Sequence, residues 1–172
     1  MVTKDILKGA VTNTDDNLFD LSEQAPVLLI FLRHLGCIFC QEALKDLRDM
    51  SSEQDLSHIK IVFVHMAEFD VAEDYFKDLK LSVDYHISDP ECNLYEKFGL
   101  IKATTRELFS FQVMLKSVES SVMRGNWPKA NRIGDGFQMP GVFIINSGII
   151  VDSYIHKRIS DRPNYTKMIE CC

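Results

Sequence analysis

At 172 residues, 46% hydrophobic and 26% charged, the chain has the make-up of one ordinary globular domain and is too short for two comfortable cores. A formal charge of −6 excludes the basic surface that nucleic acid demands, and no apolar run reaches the roughly 18 residues of a membrane helix. No signal-peptide h-region follows Met1-Val2-Thr3-Lys4-Asp5, so a cytoplasmic location is expected, where structural disulfides are rare.

Residues 1–16 read as a polar N-terminal extension with a turn at 12–16, and Leu18-Phe19-Asp20-Leu21 as a short edge strand. The continuous apolar run from Pro26 to Leu32 is expected to be a central strand buried on both faces. It stops at Gly36, and an amphipathic helix follows from Cys37 to about Met50. Its Cys40, Ala43, Leu44 and Leu47 fall on one side, opposite Glu42, Lys45, Asp46 and Asp49. Ile59–Met66 predicts a second buried strand. Glu68–Leu81 predicts a helix with Val71, Tyr75, Phe76 and Leu79 at helical spacing. A short strand at 84–90 and a short helix ended by Gly99 come next. The alternation is that of an α/β domain with a parallel sheet.

Residues 101–137 break the rhythm. Leu108, Phe111, Leu115, Val118 and Val122 recur at 3,4 spacing, which predicts a long helix inserted into the single domain that spans 1–172. This stripe is expected to pack over the domain, with a homodimer interface or a lid over the thiols as the sharper reading. The single Trp, Trp127, follows in a Gly- and Pro-containing loop that could wall an apolar pocket near Pro140. Two apolar runs joined by Ser147-Gly148 then predict a hairpin over 141–155, and a helix is expected after Pro163.

Five cysteines are present, and two of them, Cys37 and Cys40, form a C-x-x-C at the strand-to-helix junction. Residues i and i+3 share a face in the first helical turn, and a helix N-terminus stabilises a thiolate. The pair is therefore expected to do redox chemistry. In the favoured order Cys37 attacks and Cys40 resolves; in the alternative Cys40 attacks a peroxide and Cys37 resolves. Arg33 and His34 are the nearby cationic candidates for lowering a thiol pKa. Cys92 reads as an ordinary small residue beside the core, and Cys171-Cys172 as an incidental tail. His65 reads as a satisfied core residue. No second C-x-x-C or paired-histidine motif completes a four-ligand zinc site, and no cofactor is implied, although two chains could share a cluster through Cys37 and Cys40.

The C-x-x-C at this junction, the βαβ half and Met139-Pro140 leading into a terminal hairpin resemble a thioredoxin fold: a central mixed sheet flanked by helices. The resemblance implies that Pro140 is a cis-proline opposite the C-x-x-C of Cys37 and Cys40, with Gly36 and Met139 as supporting residues. Three segments are more specific. Residues 31–42, Ser88-Asp89-Pro90 with 94–100, and 134–143 together resemble peroxiredoxin-like proteins of the AhpC/TSA antioxidant type, in the peroxiredoxin-like 2 subgroup. Relative to peroxiredoxins, Arg33 stands where the active-site proline would be, Cys37 where the threonine would be and Cys40 where the peroxidatic cysteine would be. Pro140 takes the place of the peroxide-binding arginine, for which Arg33 could substitute a positive charge. The resemblance implies a thiol oxidoreductase that reduces peroxide or disulfide substrates, with a thiol reductant such as the thioredoxin or glutathione system as partner, and with neither nucleic acid nor membrane. A non-enzymatic redox sensor or an iron–sulfur or metal-binding protein on the same fold is the alternative.

Overall fold

The computed structural model describes residues 2–35, 38–53, 55–103, 134–157, 161 and 163–170. The helix expected over 106–124, Trp127, Gly36, Cys37, Cys171 and Cys172 lie outside them. The described elements are α1 (Lys4–Gly9), α2 (Leu18–Gln24), β1 (Val27–Phe31), α3 (Ile38–Glu53), β2 (Lys60–His65), α4 (Phe69–Asp78), β3 (Tyr85–Ser88), α5 (Asn93–Lys97), β4 (Gly141–Asn146), β5 (Ile149–Ile155) and α6 (Tyr165–Ile169).

The five strands form one mixed sheet in the order β3-β2-β1-β4-β5. β1 pairs in parallel with β2, and β2 with β3; β4 runs antiparallel to β1, and β5 antiparallel to β4. β1 lies at the centre and is buried at all five positions. This explains its unbroken apolar run, since neither face meets water. Leu28, Ile30 and Leu32 join a core with Leu44, Leu47, Phe76 and Met168. Val27, Leu29 and Phe31 join a second core with Leu7, Leu21, Leu94, Tyr95 and Phe143. Helices α3, α4 and α6 therefore cover one face of the sheet, and α1, α2 and α5 the other.

Two expectations are corrected here. Leu18–Leu21 is the start of a helix, not an edge strand. Asn17 accepts the Asp20 N–H at 2.9 Å as an N-cap, and Leu18 and Leu21, three apart, share the buried face. Val71 does not point into the core; Ala72, Tyr75 and Phe76 do, while Val71 is exposed. The 1–16 segment also contains the short helix α1, which composition did not reveal.

The hairpin turn has φ of 50° at Ser147 and 72° at Gly148, both in the left-handed region, as a two-residue turn matched to strand twist requires. A Cβ on Gly148 would lie 2.5 Å from Phe19 Cε2, so glycine here also lets α2 close on the hairpin. Among the described residues, no helix is long and apolar enough to cross a membrane.

Candidate active site around Cys40

The C-terminal ends of β1 and β2 bring the site together. β1 ends at Phe31, and the chain continues through Leu32, whose N–H donates to Val64 O at 2.8 Å, to Arg33. Cys40 lies in the first turn of α3 and is 5% exposed. Its Sγ accepts the Arg33 backbone N–H at 3.3 Å. An amide can only donate here, and a hydrogen bond donated to sulfur favours its charged form.

The Arg33 side chain is also buried, at 2% exposure, and its Nη2 donates to the Gly136 carbonyl. A buried guanidinium is costly unless its donors are engaged, and residues 134–139 provide the setting. Ala103 N–H donates to Phe137 O at 2.6 Å and Met139 N–H to Ile101 O at 3.2 Å. Lys102 Nζ lies 2.7 Å from Asp135 Oδ2. The Lys102 ammonium holds the Asp135 carboxyl below the usual carboxylate range, and Arg33 adds to the effect. The two ends of the 101–137 segment are thus tied to each other and to Arg33.

From the opposite face, Tyr95 on α5 donates its hydroxyl between two carbonyls, Leu32 O at 2.5 Å and Val64 O at 3.1 Å. Burial, and then the Cys40 sulfur, push its phenol well above the usual tyrosine range, so it remains a donor. α5 is in turn fixed by Asp89, whose carboxylate accepts the N–H groups of Asn93, Leu94 and Tyr95 at 3.0, 2.7 and 3.3 Å.

A cavity of about 40 Å³ opens beside Cys40. Arg33 and Pro140 share its wall with Leu32, Val142, His156 and Asp161. Pro140 therefore lies beside Cys40, but not as the cis-proline that the resemblance implies. Among the described residues every peptide is trans, Met139–Pro140 included. The chain enters β4 extended, with Pro140 O accepting the His156 N–H at 3.4 Å. Met139 is buried but, like His34, is not part of the cavity wall; His34 instead donates Nδ1–H to Leu35 O at 3.1 Å.

Sequence reasoning did not single out His156, which directly follows β5 and lines the cavity. Its Nδ1 is buried and has no hydrogen-bond partner among the described residues. Burial lowers the ring's affinity for a proton, an effect that Asp161 partly offsets.

The other candidates have structural explanations. Cys92 adopts a left-handed backbone (φ 60°) just before α5, and burial, then the Asp89 carboxylate, raise its thiol above the ordinary value. This is the opposite of an activated thiol. His65, 1% exposed, donates Nδ1–H to Ala67 O at 3.0 Å and accepts from His86 Nδ1 at 2.8 Å; it is a satisfied core histidine. Among the described residues, no three His, Cys, Asp or Glu side chains gather as a metal site.

Comparison with known proteins adds a family and a fold. A family model described as AhpC/TSA antioxidant enzyme matches residues 46–157, more than half of the chain, beginning beyond Cys40. The thioredoxin-like protein AAED1, chloroplastic, of Arabidopsis thaliana is 24% identical over 162 residues. The match takes in 89% of this chain and 64% of that protein, so the chain spans less than two thirds of its relative's length. Among solved structures, the bacterioferritin comigratory protein of Xanthomonas campestris, described for its alkyl peroxide reduction activity, superposes with a TM-score of 0.63 at 11% identity. That superposition covers 94% of this chain and 87% of that one. A yeast mitochondrial 1-Cys peroxiredoxin, described with a thiol resolving mechanism via glutathione/thioredoxin systems, gives 0.63 at 12% identity, over 94% and 69% of the two chains. The mixed sheet with flanking helices is that of peroxiredoxin-like, thioredoxin-fold proteins.

Proposed function

The chain belongs to the AhpC/TSA antioxidant enzyme family, and on that premise we propose that it is a thiol-dependent oxidoreductase that reduces hydroperoxides at Cys40. The observation that carries this reading is the position of the Cys40 sulfur: it accepts the Arg33 N–H at 3.3 Å and lines the same small cavity as the Arg33 side chain. The sulfur attacks the terminal oxygen of ROOH. An S–O bond forms, the O–O bond breaks, sulfur gives up two electrons to become the sulfenic acid, and RO⁻ takes a proton and leaves as ROH. Cys37 then attacks the Cys40 sulfenic acid, water departs, and the pair is left as a disulfide for an external thiol to reduce.

This order reverses the one that the sequence favours, and the size of the cavity supports it. A cysteine 5% exposed beside about 40 Å³ of space admits the two oxygens of a hydroperoxide, because one water needs only roughly 10–15 Å³ of such volume. A protein disulfide could not approach that sulfur. Reductants of the thioredoxin or glutathione type are supported by the yeast neighbour's description, and peroxide substrates by that of the Xanthomonas neighbour.

The test is a thiol count. Reduced protein mixed with one equivalent of an organic hydroperoxide should lose the Cys40 thiol, read by alkylation and mass spectrometry; a Cys40 that still alkylates fully refutes the proposal.

Arg33 is assigned the cationic role near the reacting oxygens. Arg33→Met removes the charge while keeping an unbranched side chain, at the cost of the donor to the Gly136 carbonyl, about 1–3 kcal/mol. The variant is expected to oxidise roughly 10²-fold more slowly, while its melting temperature falls by several degrees. Stopped-flow oxidation and thermal unfolding separate the two effects, and an unchanged rate removes the assignment.

A further inference from the structure

We infer that His156 is the proton carrier of the Cys40 site: its Nδ1 accepts the Cys40 thiol proton in the loaded cavity and returns it to the oxygen that leaves. The inference rests on the peroxide-reducing reading and adds the residue that moves its proton. Net, Cys40–SH and ROOH become Cys40–SOH and ROH; the only proton involved starts on sulfur and ends on the alcohol.

Two geometric observations support it. His156 and Cys40 form walls of one cavity, so a hydroperoxide in it, or a water standing in its place, has both within its surroundings. The Nδ1 of His156 is buried and lacks a partner among the described residues, and a buried polar atom without a partner is unusual enough to call for a function. The fold holds the ring in place: the His156 N–H donates to Pro140 O at 3.4 Å, and Tyr154 packs edge-on with ring centroids 5.2 Å apart.

The charged groups around the ring fit a carrier. Asp161, in the cavity wall, favours the imidazolium, and Asp46 of α3 shares the wall. Arg33 and Tyr165 of α6 complete the titratable groups lining the cavity. Burial keeps the resting ring neutral, so it can accept a proton, and Asp161 stabilises the short-lived charged form. A base that must also act as an acid within one turnover works best near the operating pH.

The experiment varies the leaving group. An alkyl hydroperoxide expels an alkoxide, which needs a proton; a peroxycarboxylic acid expels a carboxylate, which does not. Single-turnover loss of the Cys40 thiol is followed with both oxidants in the full chain and in His156→Gln and His156→Asn, with thermal unfolding of each variant to identify a fold defect. The expected result is a fall of about 10²-fold with the alkyl hydroperoxide and a fall at least tenfold smaller with the peroxyacid. Equal losses with both oxidants overturn the return of the proton to the leaving oxygen, and no loss with either overturns the assignment as a whole, while in both cases the peroxidase reading stands. If the unaltered protein oxidises Cys40 with neither oxidant, the peroxidase reading falls and this inference falls with it.

Discussion

Replacing Cys40 by serine is expected to end peroxide reduction, lowering steady-state turnover by more than about three orders of magnitude, because the attacking atom itself is lost. Cys37→Ser should behave differently. Its Cys40 still meets the peroxide in the same cavity, with the Arg33 N–H donating to its sulfur, so the first oxidation should proceed within a few-fold of the unaltered rate. Catalysis then stalls, because no thiol three residues away is left to expel water from the sulfenic acid. Trapping with a sulfenic-acid reagent should label Cys40 in Cys37→Ser and give no label in Cys40→Ser. The converse pattern, with Cys40→Ser still consuming peroxide and Cys37→Ser inert, would restore the thioredoxin-like order and move the reactive sulfur to Cys37.

Acidification is expected to unfold the protein through its buried imidazoles. Because Ala67 O can only accept, His65 carries its proton on Nδ1, which leaves Nε2 to accept from His86 Nδ1. Both rings are neutral in this arrangement, and His86 Nε2 stands 4.0 Å from Glu73. Phe69 and Phe76 surround the pair edge-on. A proton added to His65 would place two N–H groups against each other in an apolar setting. Burial, and then His86, accordingly push the His65 ring down to about 3, and burial lowers His86 in the same direction.

The unfolded chain binds these protons near pH 6.5 and the folded chain far less readily. The contribution is fully present above pH 6.5 and is lost as pH falls toward 3. His65 adds a slope approaching about 1.4 kcal/mol per pH unit across that window, large against a typical total of about 5–15 kcal/mol, and His86 acts in the same direction. His65→Gln, which cannot titrate, should flatten the plot of unfolding free energy against pH between 6.5 and 4 by nearly one proton. An unchanged slope would show that the pair does not govern acid stability.

Much of this fold was legible because its signals are local. The apolar run of β1, the helical spacing of α3, Gly99 after α5 and Ser147-Gly148 in the hairpin each identify an element from neighbours along the chain. Helix α2 was missed for the same reason. Leu18 and Leu21 fit a short strand as well as one helical turn, and the deciding group, the Asn17 carbonyl on Asp20 N, is a cap and not a periodicity.

Of the site, the sequence singled out Cys40, Arg33 and Pro140, but not Tyr95, whose bonds to Leu32 and Val64 cross 63 and 31 residues. Nor did it single out His156, which looks like any residue after a strand until β4 and β5 pair. The trans form of Met139–Pro140 was also beyond its reach, because the thioredoxin resemblance implied the other isomer.

Tyr95 ties the chemistry to the whole core. Its single hydroxyl spans the C-terminal ends of two parallel strands, and the next residue along one of them supplies the amide that binds the Cys40 sulfur. Those strand ends cannot part without dislodging a ring packed edge-on against Phe31 and a helix held by Asp89. Local opening of the kind that lets a loop breathe is therefore denied to this corner. Amide exchange at Arg33 and Val64 is accordingly expected to need the opening of the sheet itself, so the cavity's floor should keep its shape for as long as the strands stay paired.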